Sequence, residues 1–123
     1  MGVGSVRVQV VDDNAALRAV ACLEVELSAD LELAGEAANG AEAIDVARRS
    51  HPDAIILDLE MPVMNGLTAL PRLREVVPDA VIVIYTSHDS DATRAEARRL
   101  GAHGYVVKGT TPVREVLASF SSA

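Results

Sequence analysis

Short β-branched runs alternate along the chain with longer stretches of helical period, a pattern that predicts repeated strand–helix units and a parallel sheet covered by helices on both faces. Five such units can be counted, with strands predicted at Val6 to Val11, Leu31 to Ala37, Ala54 to Leu57, Val81 to Tyr85 and Gly104 to Val107. Ile55-Ile56-Leu57, Val81-Ile82-Val83-Ile84 and Val106-Val107 are continuous apolar runs, as expected of strands buried on both faces. Between the strands, Ala16, Val20, Leu23 and Leu27 fall on one helical face. Leu70, Leu73 and Val77 do so too, and again Val113, Val116, Leu117 and Phe120. Each stripe is expected to bury against the sheet.

Turn residues punctuate this pattern. Asn39-Gly40 opens the second helix, and Pro78-Asp79 separates the third helix from the fourth strand. Pro71 suits the third helix only if that helix begins near Leu67 or Thr68, which puts the proline about where the unbonded N–H groups of the first turn end; a kink is the alternative. The fourth helix, roughly Asp91 to Leu100, has Leu100 as its only large apolar anchor. It is expected to be the most loosely held element, as a solvated surface helix or a mobile one. The tail from Ser119 to Ser122 is expected to fray or to lead into a linker.

Size narrows the reading to one domain over residues 1–123, because 123 residues leave room for a single hydrophobic core. No apolar run approaches the ~20 residues that span a bilayer, and Met1 to Val6 lacks a secretory leader pattern. No membrane contact and a cytoplasmic location are therefore expected. The net charge of -7 argues against nucleic-acid binding by this domain, which needs clustered Lys and Arg. Cys22, the single cysteine, reads as a small buried apolar residue. His51 and His103 read as structural or exposed.

Chemistry enters at the strand ends. In an open parallel sheet, ligands sit beyond the carboxyl ends of the strands, where loops and helix N-termini converge. The first strand runs into Asp12-Asp13, the third into Asp58, the fourth into Thr86-Ser87 and the fifth into Lys108. Three carboxylates brought together repel one another and persist by taking up protons or by binding a cation. Oxygen-only ligands with open positions favour Mg2+, which joins carboxylates to a substrate phosphate. Lys108, the Thr86 hydroxyl and the backbone N–H of Ser87 can then meet phosphoryl oxygens. Any one of these residues alone reads as an ordinary turn or surface group; four successive strand ends together read as a phosphoryl-transfer centre.

With these residues in view, the sequence resembles the receiver domain of bacterial two-component response regulators, including the chemotaxis receivers, over essentially its whole length. The resemblance rests on Val-Val-Asp12-Asp13-Asn14, Asp58-Leu-Glu-Met-Pro62 followed by Met64-Asn65-Gly66, Tyr85-Thr86-Ser87, and Gly101-Ala102-His103-Gly104-Tyr105-Val106-Val107-Lys108. It implies a flavodoxin-like, doubly wound α/β fold with five strands in the order 2-1-3-4-5 and five helices. It also implies that Asp58 is the phosphoacceptor, and that Asp13, Asp58 and the backbone carbonyl of Glu60 hold Mg2+, with Asp12 supporting the metal largely through water. Lys108, Thr86 and the Ser87 N–H would bind the phosphoryl group. Thr86 and Tyr105 would form the switch that reshapes the face of helix 4, strand 5 and helix 5.

The implied partner is a histidine kinase or phosphotransfer protein, with phosphorylation-dependent homodimerisation as a further option. The domain would be no enzyme on other substrates but would promote its own phosphorylation and dephosphorylation. Two features depart from or colour this pattern. Most receivers carry a proline directly after the lysine, whereas this chain has Lys108-Gly109-Thr110-Thr111-Pro112; Thr111 then reads as an N-cap with Pro112 opening the last helix. That departure, with the style of Gly35 to Gly40, resembles receivers joined to a DNA-binding helix-turn-helix output domain. Glu60 and His88, two residues after Asp58 and Thr86, would flank the water that hydrolyses the acyl phosphate. The rival readings are a receiver-like interaction module without phosphorylation and a phosphatase with an aspartyl-phosphate intermediate, for which Glu60 is the one suggestive residue.

Overall fold

The computed structural model describes residues 5–121. Ten elements alternate along the chain: β1 Val6–Val11, α1 Ala15–Leu27, β2 Leu31–Ala37, α2 Gly40–Ser50, β3 Ala54–Leu57, α3 Gly66–Val76, β4 Val81–Thr86, α4 Asp91–Arg99, β5 Gly104–Val107 and α5 Val113–Ser121. The five strands form one parallel sheet in the order β2-β1-β3-β4-β5. Strand positions agree with the sequence reading, except that β4 runs one residue further and takes in Thr86. Among the described residues no helix is long and apolar enough to cross a membrane.

Two apolar layers sandwich the sheet. On one face Val11, Ile55, Leu57, Ile82 and Ile84 pack with Ala43, Ile44 and Ala47 of α2 and Leu70 and Leu73 of α3. On the other, Val8, Val10, Ile56 and Val83 pack with Ala21, Cys22 and Val25 of α1 and Val116 and Leu117 of α5. The opposite pointing of successive strand residues divides each apolar run between the two layers. Polar side chains cap four helices locally: Asn14, Asn39, Asn65 and Ser90 each accept a hydrogen bond from a first-turn N–H.

Several expectations are corrected. The stripe Ala16, Val20, Leu23, Leu27 does not face the sheet: Val20, Leu23 and Leu27 are 51%, 54% and 72% exposed, and the buried side of α1 is Ala21, Cys22 and Val25. Val106 and Val107 are only half-buried, because β5 is an edge strand with a neighbour on one side. Helix α3 starts at Gly66, earlier than expected, because Asn65 caps it. Pro71 therefore lies in the helix interior, where it leaves the carbonyl four residues back without its usual donor. Thr111 does not cap α5, which begins at Val113, after Pro112, whose carbonyl accepts the first helical hydrogen bond from Val116 N–H. Helix α5 continues through Ser119 to Ser121 rather than fraying, and Ser122 lies outside the described residues.

Other expectations hold. Leu70, Leu73 and Val77 are buried, as are Val116 and Leu117. Cys22 is buried, and burial with the nearby charge of Glu36 pushes its thiol up to about 11, so it stays protonated. Helix α4 buries only Ala97. His103 is structural, its Nδ1 accepting the backbone N–H of Ile82 at 3.0 Å. His51 is exposed and ends α2 in the left-handed conformation. Gln9, fully buried within β1, donates to the Ala43 carbonyl at 3.0 Å while its Oε1 has no partner.

Candidate functional site

Parallel pairing carries the carboxyl ends of β1, β3, β4 and β5 to one edge of the sheet. In register, Val11 stands beside Leu57, Leu57 beside Ile84, and Thr86 beside Val107. The residues that follow β1, β3 and β5 are therefore Asp12, Asp58 and Lys108, with Asp58 between the other two. Backbone bonds fix the acids: Asp12 N–H donates to the Ala37 carbonyl and Asp58 N–H to the Val11 carbonyl, both at 3.0 Å.

An open cleft of about 470 Å³ lies over this edge, lined by Asp12, Asp13, Asn14, Leu17, Asp58, Glu60, Ser87, Lys108 and Gly109. Thr86 lies fully buried beneath it. Lys108 Nζ donates to Asp12 Oδ2 at 2.8 Å and to Asp58 Oδ2 at 3.2 Å. The other oxygen of each acid takes a backbone N–H, Asn14 onto Asp12 Oδ1 at 2.9 Å and Leu59 onto Asp58 Oδ1 at 2.7 Å. Asp13 is exposed at the mouth. Tyr105 stands outside the cleft, its hydroxyl donating to the His88 carbonyl at 2.7 Å. His88 faces α4, where its Nε2 shares a hydrogen bond with the Thr93 hydroxyl at 3.0 Å.

Two glycines shape the loops around the acids. A Cβ at Gly66 would meet the Asp58 carbonyl oxygen at 2.3 Å, so only glycine lets α3 begin this close to the site. Gly109 has φ +89 and open space beside it. It therefore supplies a left-handed turn that a proline, locked near φ −65°, cannot make. The loop after Asp58 also holds Val63, a β-branched residue at φ 67, an unfavourable conformation of the kind that clusters near functional sites.

The charges leave the site electrostatically unsatisfied. Burial pushes Asp58 above the usual carboxylate value, and the charge of Asp12 adds to this, while the charge and hydrogen bond of Lys108 and a hydrogen bond from Thr86 only partly offset it. Burial would depress Lys108, but its hydrogen bond to Asp12 and the charges of Asp58 and Asp12 outweigh that and raise it. One cation serves two buried anions, with a third at the rim. Asp12, Asp13 and Asp58 each offer an oxygen, and these atoms lie within 4.8 Å of one another. An all-oxygen set open to solvent on the Asp13 side fits Mg2+, which keeps several waters and needs few protein ligands.

Comparison with known proteins settles the family. The description "Response regulator receiver domain" matches residues 8–118. The chain belongs to the response regulator receiver family. This receiver is 36% identical to the chemotaxis protein CheY of Thermotoga maritima, covering 91% of this chain and 92% of that one. It is 39% identical to a protein-glutamate methylesterase/protein-glutamine glutaminase of Methanosarcina mazei and 38% identical to the nitrate/nitrite response regulator NarL of Escherichia coli. It spans only 30% and 47% of the lengths of those two relatives. The receiver domain of the putative regulator NarL from Mycobacterium tuberculosis superposes with a TM-score of 0.87 at 27% identity, over 97% of this chain and 98% of that one. Receivers are phospho-accepting switches that use Mg2+ and interact with histidine kinases and phosphotransfer proteins.

The structure thus brings Asp12, Asp13, Asp58, Glu60, Ser87 and Lys108 of this receiver around one cleft, with Thr86 beneath and Tyr105 apart. Sequence reasoning missed Arg18. Its guanidinium donates to the Asp12 carbonyl and to the Glu36 carboxylate, each at 2.8 Å, and so braces the turn that carries the acidic pair. The available signal was a lone arginine in the opening turns of a helix whose other residues are apolar as far as Leu23.

Proposed function

We propose that Asp58 is the phosphoacceptor of this receiver. The observation that carries the reading is the single cleft in which Lys108 bridges Asp12 and Asp58 while the oxygens of Asp12, Asp13 and Asp58 crowd within 4.8 Å. An Asp58 carboxylate oxygen attacks the phosphorus of a phosphohistidine on a kinase or phosphotransfer protein. The new O–P bond forms as the N–P bond breaks, and the imidazole leaves with the bond's electron pair. Asp13, Asp58 and the Glu60 carbonyl, with Asp12 in support, would hold Mg2+, which supplies charge neutralisation on the phosphoryl oxygens.

The chain's own residues do the rest. Lys108 stays charged at neutral pH and follows the oxygens as Asp58 loses its anionic ion pair. Thr86 and the Ser87 N–H donate to the phosphoryl group, and their movement reaches Tyr105 through the loop after β4. That changes the face formed by α4, β5 and α5, which then acts on an output: a DNA-binding domain or a second copy of this chain. Within residues 1–123 the assignment is a single switch domain that turns over only its own aspartyl phosphate, in a cytoplasmic setting.

Incubation with acetyl phosphate or phosphoramidate, with and without magnesium, followed by intact mass, tests this. A magnesium-dependent gain of one phosphoryl group, absent from Asp58→Asn, is expected. A folded, magnesium-replete protein that stays unmodified would leave a docking module as the function.

A further inference from the structure

Arg94 sits in the first turns of α4, where the helix dipole disfavours a cation. Its side chain compensates by reaching off the helix in three directions. The guanidinium carbon lies 4.5 Å from the Tyr105 ring centroid, one amino group donates to the Tyr105 carbonyl at 3.3 Å, and the other donates to the Asp89 carboxylate at 3.1 Å. A planar fork can hold a ring, a carbonyl and a carboxylate together; a lysine, as a point charge, cannot.

The contacts continue inward without a gap. The Tyr105 hydroxyl donates to the His88 carbonyl at 2.7 Å, and the N–H of the same residue donates to the Thr86 hydroxyl at 3.3 Å. Thr86, fully buried beneath the cleft, is the inner end, and its side chain is one of the groups that partly offset the effect of burial on Asp58. A chain of contacts therefore runs from α4 to Thr86 beneath the acidic cleft, and Arg94 is its outer end. Helix α4 has little else to hold it, since Ala97 is its one buried residue.

We infer that Arg94 is a positioning residue for the Asp58 site, acting through Tyr105: it clamps the ring against the loop after β4 and so keeps Thr86 turned toward Asp58 before any phosphoryl group arrives. This rests on Asp58 being the phosphoacceptor. Loss of the clamp lets Tyr105 leave the His88 carbonyl and frees Thr86 to turn away. Phosphorylation by a small donor then slows, because the site must be reassembled at each turnover. A charge-assisted bond plus a stacked cation corresponds to a slowing of about three- to tenfold.

The test uses protein labelled with 3-fluorotyrosine, which gives two fluorine resonances because the chain has two tyrosines, Tyr85 and Tyr105. Arg94→Ala should shift or broaden the Tyr105 signal, leave that of Tyr85 in place, and slow magnesium-dependent phosphorylation by acetyl phosphate. Arg94→Lys should recover part of both effects, and Asp89→Asn should produce a smaller change of the same sign. In a Tyr105→Ala background, Arg94→Ala should slow phosphorylation no further. An unmoved Tyr105 resonance, or an equal slowing in both backgrounds, would overturn the inference. The fluorine spectra need no phosphorylation, so a wild type that never accepts a phosphoryl group would defeat the Asp58 assignment while the clamp itself was still measured.

Discussion

Replacing Asp58 with asparagine should make the metal-free protein more stable, and adding magnesium should reverse the order. Oxygens of Asp12, Asp13 and Asp58 lie within 4.8 Å of one another. At that separation and an effective dielectric of ~20, each like-charged pair costs about 3.5 kcal/mol. The Lys108 ammonium, 3.2 Å from Asp58, returns about 5 kcal/mol on the same scale. Two repulsions exceed one attraction, and burial adds to the cost, although the exposure of Asp13 screens its share. A net relief of about 1 kcal/mol on removing the charge corresponds to a rise in Tm of about 3–6 °C for a domain of this size.

The pH dependence follows from the same balance. The folded protein holds the Asp58 proton more tightly than the unfolded chain does. Its stabilising contribution is therefore complete below the unfolded pKa and is lost as pH rises through the folded one. The advantage of Asp58→Asn should be present at neutral pH and should shrink in acid. Magnesium at a hundred times its Kd stabilises the wild type by about 2.7 kcal/mol, and the variant, missing a ligand, gains less. Thermal unfolding followed by circular dichroism in EDTA and in magnesium would show the crossing. A variant less stable than the wild type in EDTA, or equal gains from magnesium in both, would refute the reasoning.

Other substitutions probe the rest of the structure. Lys108→Met should cost about 2–3 kcal/mol in EDTA by leaving Asp12 and Asp58 uncompensated, with magnesium recovering part of it in urea unfolding. Because Lys108 is raised in the fold, its contribution is complete below its unfolded pKa and is lost only as pH climbs through the folded value, so the gap should close only in strong alkali. Gln9→Met exchanges the Ala43 hydrogen bond and an unpartnered oxygen for an apolar chain, and should stabilise by about 1 kcal/mol in urea. Leu23→Lys and Leu27→Lys on the exposed side of α1 should each stay within about 0.5 kcal/mol. Val25→Ala on its buried side should cost about 2 kcal/mol in the same urea titration.

The strands were legible because their apolar runs are short, β-branched and bounded by turn residues. The facing of α1 was not. That helix carries apolar residues all round, from Ala15 to Leu27, so periodicity cannot choose a side; the sheet accepts the small and medium residues Ala21, Cys22 and Val25 and leaves the leucines out. Periodicity likewise cannot say that β5 is an edge strand, which depends on strand order. Helix α3 began early because one asparagine side chain at position 65 captured the Thr68 N–H at 2.9 Å, a local bond stronger than the objection posed by Pro71. The cleft was legible for a topological reason, since strand ends in a parallel sheet converge. Arg18 and Arg94 were not, because their partners are carbonyls and a ring that only the folded chain brings within reach.

The distribution of rigidity across the sheet decides which part can respond to phosphorylation. Asp12 and Asp58 end β1 and β3, strands whose residues Val8, Val10, Val11, Ile55 and Leu57 are essentially fully buried and paired on both sides. Those acids cannot separate to relieve their repulsion without disrupting these buried central strands. Lys108 ends the half-buried edge strand, and Gly109 after it stands in open space. The fixed charges are therefore central and the movable one peripheral. Charge added at Asp58, as proposed, would find no low-cost response in the core, so the adjustment would fall on Lys108 and on what adjoins it: β5 with Tyr105, and α4 with its single buried alanine. The side of the domain that would change shape is thus set by where the core is thin.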